Sequence, residues 1–252
     1  MKTKIYNSFK MAFMCLIILI VPMGVFADAL PSLCNEFDGN TVDMYYGINF
    51  DDFEEINAML AEIGNAAMRT RTTFFNQVPL LLQGDARWGG HSLNGCAGTT
   101  IRTHGCALVS VTMAHRFYGG TMNPDDVNRT LGSSACPINW QGAADRLNMR
   151  VITAHRWMDA NSATSIIIGA ISQGHTPIIR LNRGGTDHFV VAHGFSGNTI
   201  FIRDPANQHT TLGSHLSTHT FSSFIVYGGR LPSNWCNPWG QCLMSIDLPD
   251  EK

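Results

Sequence analysis

A chain of 252 residues with 44% hydrophobic and 14% charged residues can bury one sizeable core, and its composition excludes a wholly disordered polymer. Its net charge of -2, with no dense basic stretch, lacks the electrostatic footprint that phosphate binding requires, so nucleic acid is set aside as a partner.

At the N-terminus Lys2, Lys4 and Lys10 precede an uncharged run from Met11 to Val25, which closes on Val25-Phe26-Ala27. This is the pattern of a secretory signal peptide over residues 1–27, cleaved after Ala27; the run is short for a bilayer span and is broken by Pro22 and Gly24. A secreted, periplasmic or otherwise extracytoplasmic protein is expected, with no stable membrane insertion after signal removal. In an oxidising compartment Cys34, Cys96, Cys106, Cys136, Cys236 and Cys242 are read first as disulfide partners. Cys236 is expected to pair with Cys242, and Cys96 with Cys136. That default competes with a reactive thiol at Cys106.

Residues 28–75 read as a separate N-terminal segment. Phe53, Ile56, Met59, Leu60 and Ile63 recur at a helical period behind Asp51, Asp52, Glu54 and Glu55, acids that suit the first turn. One amphipathic helix is expected there, packed on the core or acting as a pro-segment. Residues 78–83 look strand-like, and 84–105 form a loop rich in Gly, Asp, Arg and Trp. Residues 106–118 are apolar nearly all round, as in a buried helix, and Gly119-Gly120 ends it. Asn123 and Pro124 open a second helix as cap and first position; residues 140–147 and 162–172 suggest two more.

Strands are expected over 176–181, 188–195, 199–204 and 221–227, with hairpin turns at Asn182-Arg183-Gly184-Gly185 and Ser196-Gly197-Asn198. Helices first and antiparallel strands afterwards predict an α+β domain over residues 76–230. Residues 231–252 are expected to be a tail stapled by Cys236 and Cys242.

A nucleophilic thiol reacts as thiolate, and the amide groups and dipole at a helix N-terminus favour that anion. Cys106 opens the buried helix directly after Gly105, where little obstructs a substrate backbone, and its own N–H can face a developing oxyanion. A base must reach the sulfur and a third group must hold the base. His188 begins one strand and Asp204 ends the next, so the hairpin at 196–198 brings them to the same end. Alternation puts His193 on the other face, where it is structural. His209, His215 and His219 could bind metal, but the Thr, Ser and Gly around them read as a solvated loop without a familiar ligand pattern. No metal or cofactor is expected.

In their order and spacing these pieces resemble the C39-like group of papain-like cysteine peptidases, over about Gln77 to Tyr227. The matching residues are Val78 to Gln83 with Asp85-Ala86-Arg87-Trp88, Gly105-Cys106-Ala107-Leu108 with Ser110 and Met113, Asn123-Pro124 with Val127, Asn128 and Leu131, Gly174 to Ile179, His188 to Gly194, and Asp204-Pro205-Ala206. The resemblance implies a papain-like fold, with Cys106 as nucleophile, His188 as base, Asp204 as orienting residue and Gln83 as oxyanion-hole amide. Residues 84–105 separate Gln83 from Cys106, a longer interval than many papain-like enzymes keep. The expected activity is that of a hydrolase, a secreted thiol protease acting on peptide or protein substrates. An amide hydrolase or acyltransferase using the same triad on a non-protein amide, and a silent binding module, are the competing readings.

Overall fold

The computed structural model describes residues 53–156 and 159–229. The expected signal peptide, Cys34, the Cys236–Cys242 pair and the stapled tail lie outside them. The elements are α1 (Glu54–Arg69), β1 (Thr73–Phe75), α2 (Ile101–His104), α3 (Cys106–Phe117), α4 (Pro124–Leu131), α5 (Trp140–Arg146), β2 (Met149–Arg156), α6 (Ala160–Ser172), β3 (Thr176–Arg183), β4 (Thr186–Ser196), β5 (Thr199–Arg203), α7 (Leu212–Leu216) and β6 (Thr220–Gly229). Among the described residues no helix is long and apolar enough to cross a membrane.

The strands form one antiparallel sheet in the order β1-β4-β3-β6-β2, with β5 also paired to β4. Successive strand residues face opposite sides, and both sides are apolar. Ile178, Val191, Ile225 and Tyr227 join Leu108, Val109, Val111 and Met113 of α3 in one core cluster. Their neighbours Ile179, Val190, Phe224 and Val226 join Leu60 of α1 and Ile167, Ile168 and Ile171 of α6 in another. Each such side chain contributes roughly 1.5–3 kcal/mol by burial, so the sheet is held from both faces. This is the expected α+β fold, with helices packed on an antiparallel sheet.

Local chemistry fixes the helix starts. Asn123 Oδ1 accepts from the amides of Asp125 and Asp126 at 2.9 and 3.0 Å, and Asp126 Oδ2 accepts from Asn123 N–H at 3.1 Å. This reciprocal cap, with Pro124 first in the helix, matches the expectation. Asp159 caps α6 through the amides of Asn161 and Ser162, both at 3.0 Å, which starts that helix two residues before the predicted position.

The expected strand over 78–83 is not formed. Pro79 removes one ladder donor, and the segment runs instead as extended chain along α3, with Leu81 N–H against Met113 Sδ at 3.4 Å and Val78 C=O accepting from Arg203 Nε at 3.0 Å. The sheet takes β1 at that edge, pairing Thr73–Phe75 with Gly194–Ser196. Strand β2, interrupted by the polar residues Arg150, Thr153 and His155, gave no strand signal and pairs with β6. The expected disulfide between Cys96 and Cys136 is present and spans 40 residues; it pins the 84–105 loop to the chain beyond α4.

Helices α1 and α6 meet backbone to backbone. A side-chain carbon at Gly64 would lie 1.8 Å from the Ser165 carbonyl oxygen, and one at Gly169 would lie 1.9 Å from that of Leu60. Only hydrogen fits at either position. Gly169→Ala should therefore cost roughly 1–3 kcal/mol by overpacking, read as a lowered denaturation midpoint in urea; an unchanged midpoint would show that the two helices do not approach this closely.

Candidate active site

Cys106 heads α3, and the chain reaches it through a one-residue break. Gly105 separates α2 from α3 with φ -84° and ψ 11°, and a side-chain carbon there would lie 2.4 Å from the Ile101 carbonyl oxygen. The need for glycine is thus internal to the turn, in addition to any room it leaves for a ligand. In an unbroken helix the Arg102 carbonyl would pair with the Cys106 N–H. Here it accepts from Gln83 Nε2 at 2.7 Å, and Cys106 N–H is one of the amides at the head of α3 without an intrahelical partner.

Gln83 is brought to this turn by its own backbone, whose N–H donates to the Pro205 carbonyl at 3.0 Å. The long loop to Cys106 therefore folds back, and its length does not separate the two residues in space. Gln83 Oε1 is buried and has no hydrogen-bond partner among the described residues.

His188 is the third residue of β4, opposite Leu181 of β3. Strand and helix are tied beside it by Ser110 Oγ, which donates to the Phe189 carbonyl at 3.2 Å. The neighbouring Asp187 is taken by Arg180 at 2.6 Å and Asn182 at 3.0 Å. It cannot compete for the ring. The two-residue turn Gly197-Asn198 pairs Ser196 with Thr199, and β5 then delivers Asp204 to the end of β4 where His188 sits. His188 Nε2 and Asp204 Oδ1 are 2.8 Å apart. Cys106 is free of any disulfide and buried, and it lies near enough to His188 to help raise the pKa of that ring. With Nε2 engaged by Asp204, Nδ1 is the ring nitrogen left for the sulfur.

Asp204 is 2% exposed and saturated. Oδ1 also accepts from Ala206 N–H at 2.8 Å, and Oδ2 accepts from the amides of Gln208 and His209 at 2.9 and 3.2 Å and lies 3.1 Å from His215 Nε2. Burial would raise its pKa, but hydrogen bonds from His188, His215 and the Ala206 amide outweigh it and hold the carboxyl far below the usual carboxylate range. Burial likewise pulls the His188 pKa down, yet the hydrogen bond to Asp204 and the neighbouring Cys106 side chain outweigh it and raise it from 6.5 to about 9.

Gln83, Cys106, His188 and Asp204, all expected from sequence, thus converge on one place. His193 stays apart, 7% exposed and 3.3 Å from the Asn76 carbonyl, with its pKa lowered by burial and by the charge of Arg203. The expectation of a solvated loop at 209–219 is overturned for His215, which lies in α7, is 0% exposed and reaches Asp204. Thr211 caps α7, with Leu212 and Leu216 one turn apart; that capped i,i+4 apolar pair was the signal available in the sequence. His188, Asp204 and His215 bring donor atoms within 4.8 Å of one another, the spacing of a metal site, but both Nε2 atoms already face the carboxylate, so hydrogen bonding accounts for the cluster.

The Peptidase_C39 like family model matches residues 75–227, and the chain belongs to that family. No curated protein matches it. Among solved structures it is similar to a Bacillus anthracis protein assigned as a C39-like peptidase, with 11% identity, 62% of this chain and 97% of that chain covered, and a TM-score of 0.42.

Because the His188 pKa lies above its ordinary value, the imidazolium persists as pH rises from 6.5 until about 9, and the stability it lends is complete below the lower value and lost through the upper. Asp204→Asn weakens the strongest hydrogen bond that supports the charged ring and removes the carboxylate charge behind it. The His188 titration followed by NMR should then fall from near pH 9 by at least about one unit; an unmoved midpoint would mean that Asp204 does not support the ring.

Proposed function

We propose that the protein is a cysteine peptidase working outside the cytoplasm, with Cys106 as nucleophile, His188 as general base and acid, Asp204 as orienting group, and Gln83 with the Cys106 N–H as oxyanion donors. The observation that carries this reading is that Asp204 holds His188 at 2.8 Å while the free, buried Cys106 at the head of α3 lies near enough to raise the pKa of the same ring. Membership of a peptidase family supports peptide or protein substrates. The Cys96–Cys136 disulfide supports an oxidising compartment, as does the leader-like pattern of residues 1–27.

His188 Nδ1 takes the proton of the Cys106 thiol and holds it as the imidazolium that its raised pKa favours, and the resulting thiolate attacks the substrate carbonyl to form a C–S bond. The resulting oxyanion is held by the N–H at the head of α3 and by the Gln83 amide, whose second hydrogen is not needed by the Arg102 carbonyl. His188 passes its proton to the leaving amine as the C–N bond breaks. Water, deprotonated by the same ring, then hydrolyses the thioester and returns the proton to sulfur. Asp204 keeps the ring in the tautomer and orientation both transfers need.

Reaction of the purified, signal-free protein with iodoacetamide near neutral pH, without reductant, should label Cys106 rapidly, and His188→Ala should slow this by roughly 10²-fold or more. Finding Cys106 in a disulfide, or equal labelling in the mutant, would sink the proposal in favour of a disulfide-stapled binding module. Gln83→Ala should reduce peptide turnover by roughly 10²–10³ while leaving alkylation, which builds no oxyanion, near the wild-type rate. Equal loss in both assays would instead assign Gln83 to holding the Cys106 turn.

A further inference from the structure

His215 contacts the catalytic carboxylate from the side that His188 leaves free. It is 0% exposed, and its Nε2 lies 3.1 Å from Asp204 Oδ2 while His188 Nε2 lies 2.8 Å from Oδ1. An ionised carboxylate only accepts, so His215 Nε2 carries the proton and donates. Among the described residues its Nδ1 has no hydrogen-bond partner, which makes the bond to Asp204 the polar tie of this buried ring. The groups that face it are Asp204, His188 at 5.2 Å between ring centroids, His209 at 4.4 Å and His219 at 5.1 Å; Arg183 lies beyond, acting on His219.

From this geometry we infer that His215 is a positioning residue of the active site, a second histidine that holds Oδ2 of Asp204 so that Oδ1 stays aligned on His188. The inference rests on the reading of Cys106, His188 and Asp204 as the reacting set. The backbone amides of Ala206, Gln208 and His209 anchor the carboxylate to its own loop. They move with that loop. His215 instead ties it to α7, whose Leu212 is buried in the core beneath the sheet, so the carboxylate is referenced to the packed body of the domain. A carboxylate free to rotate about its side-chain bond would offer His188 a poorer acceptor, and the ring would lose part of the support that stabilises its charged form.

The test compares His215→Gln, whose amide can still donate to Oδ2, with His215→Met, of similar size but without a donor, through two readouts on the full protein: the NMR titration of His188 and the rate of Cys106 alkylation by iodoacetamide. The Met variant should shift the His188 midpoint down by about one unit and slow alkylation about tenfold, and the Gln variant should recover most of both. Wild-type titration and alkylation in the Met variant, whatever its melting temperature, would overturn the inference and leave His215 a packing residue; so would a Gln variant as impaired as Met. Should the Met variant fail to fold, His215→Asn, whose shorter amide falls short of Oδ2, takes its place in the same comparison. The titration reports on His188 even if the wild type cleaves no peptide, so failure of the peptidase reading and failure of this inference are separate results.

Discussion

Burying an ionised carboxylate is costly, several kcal/mol, unless donors meet its lone pairs, and Asp204 meets that condition with two imidazoles and three backbone amides. Much of the domain's irregular structure can be understood as the means of supplying them. Chain after β5 curls back so that the amides of Ala206, Gln208 and His209 converge; Thr211 then starts α7, which places His215 inside. The same turn lends the Pro205 carbonyl to Gln83, and Gln83 in turn occupies the Arg102 carbonyl at the break before Cys106. A single buried charge thus organises the approach of three separated stretches of chain.

The hydrophobic pattern supplies the frame on which this happens. Strands β3, β4 and β6 are apolar on both faces, which demands helices above and below. Helix α3, apolar nearly all round, satisfies one side, and α6 with α1 the other. Ser110 and the core hold α3 against β4, which sets the helix that carries Cys106 beside the strand that carries His188.

What could be read from sequence follows from how local each signal is. The caps at Asn123 and the two-residue turn at Gly197-Asn198 are set by neighbouring residues, and the strand pairing of His188 with the approach of Asp204 follows from that turn. Cys106 at a helix head after Gly105 is equally local. By contrast β2 depends on pairing with β6, far along the chain, and its own polar residues hide it. The segment 78–83 has strand composition but finds its partner in a helix side, and neither Pro79 nor spacing reveals that. His215 was missed because its significance depends on a carboxylate eleven positions earlier folding back over it, while the polar residues around it resemble any surface loop. Gln83 illustrates the reverse case: its distance along the chain argued against proximity, and a disulfide-pinned loop removes the objection.

The close seating of α1 on α6 bears on how the protein could be shortened. Gly64 and Gly169 leave no gap between the helices, and Leu60 is buried among Ile167, Ile168 and Ile171. A cut anywhere ahead of Glu54 leaves this layer whole. Removal of the helix itself would instead bare a continuous isoleucine face on α6 to water, a surface prone to self-association.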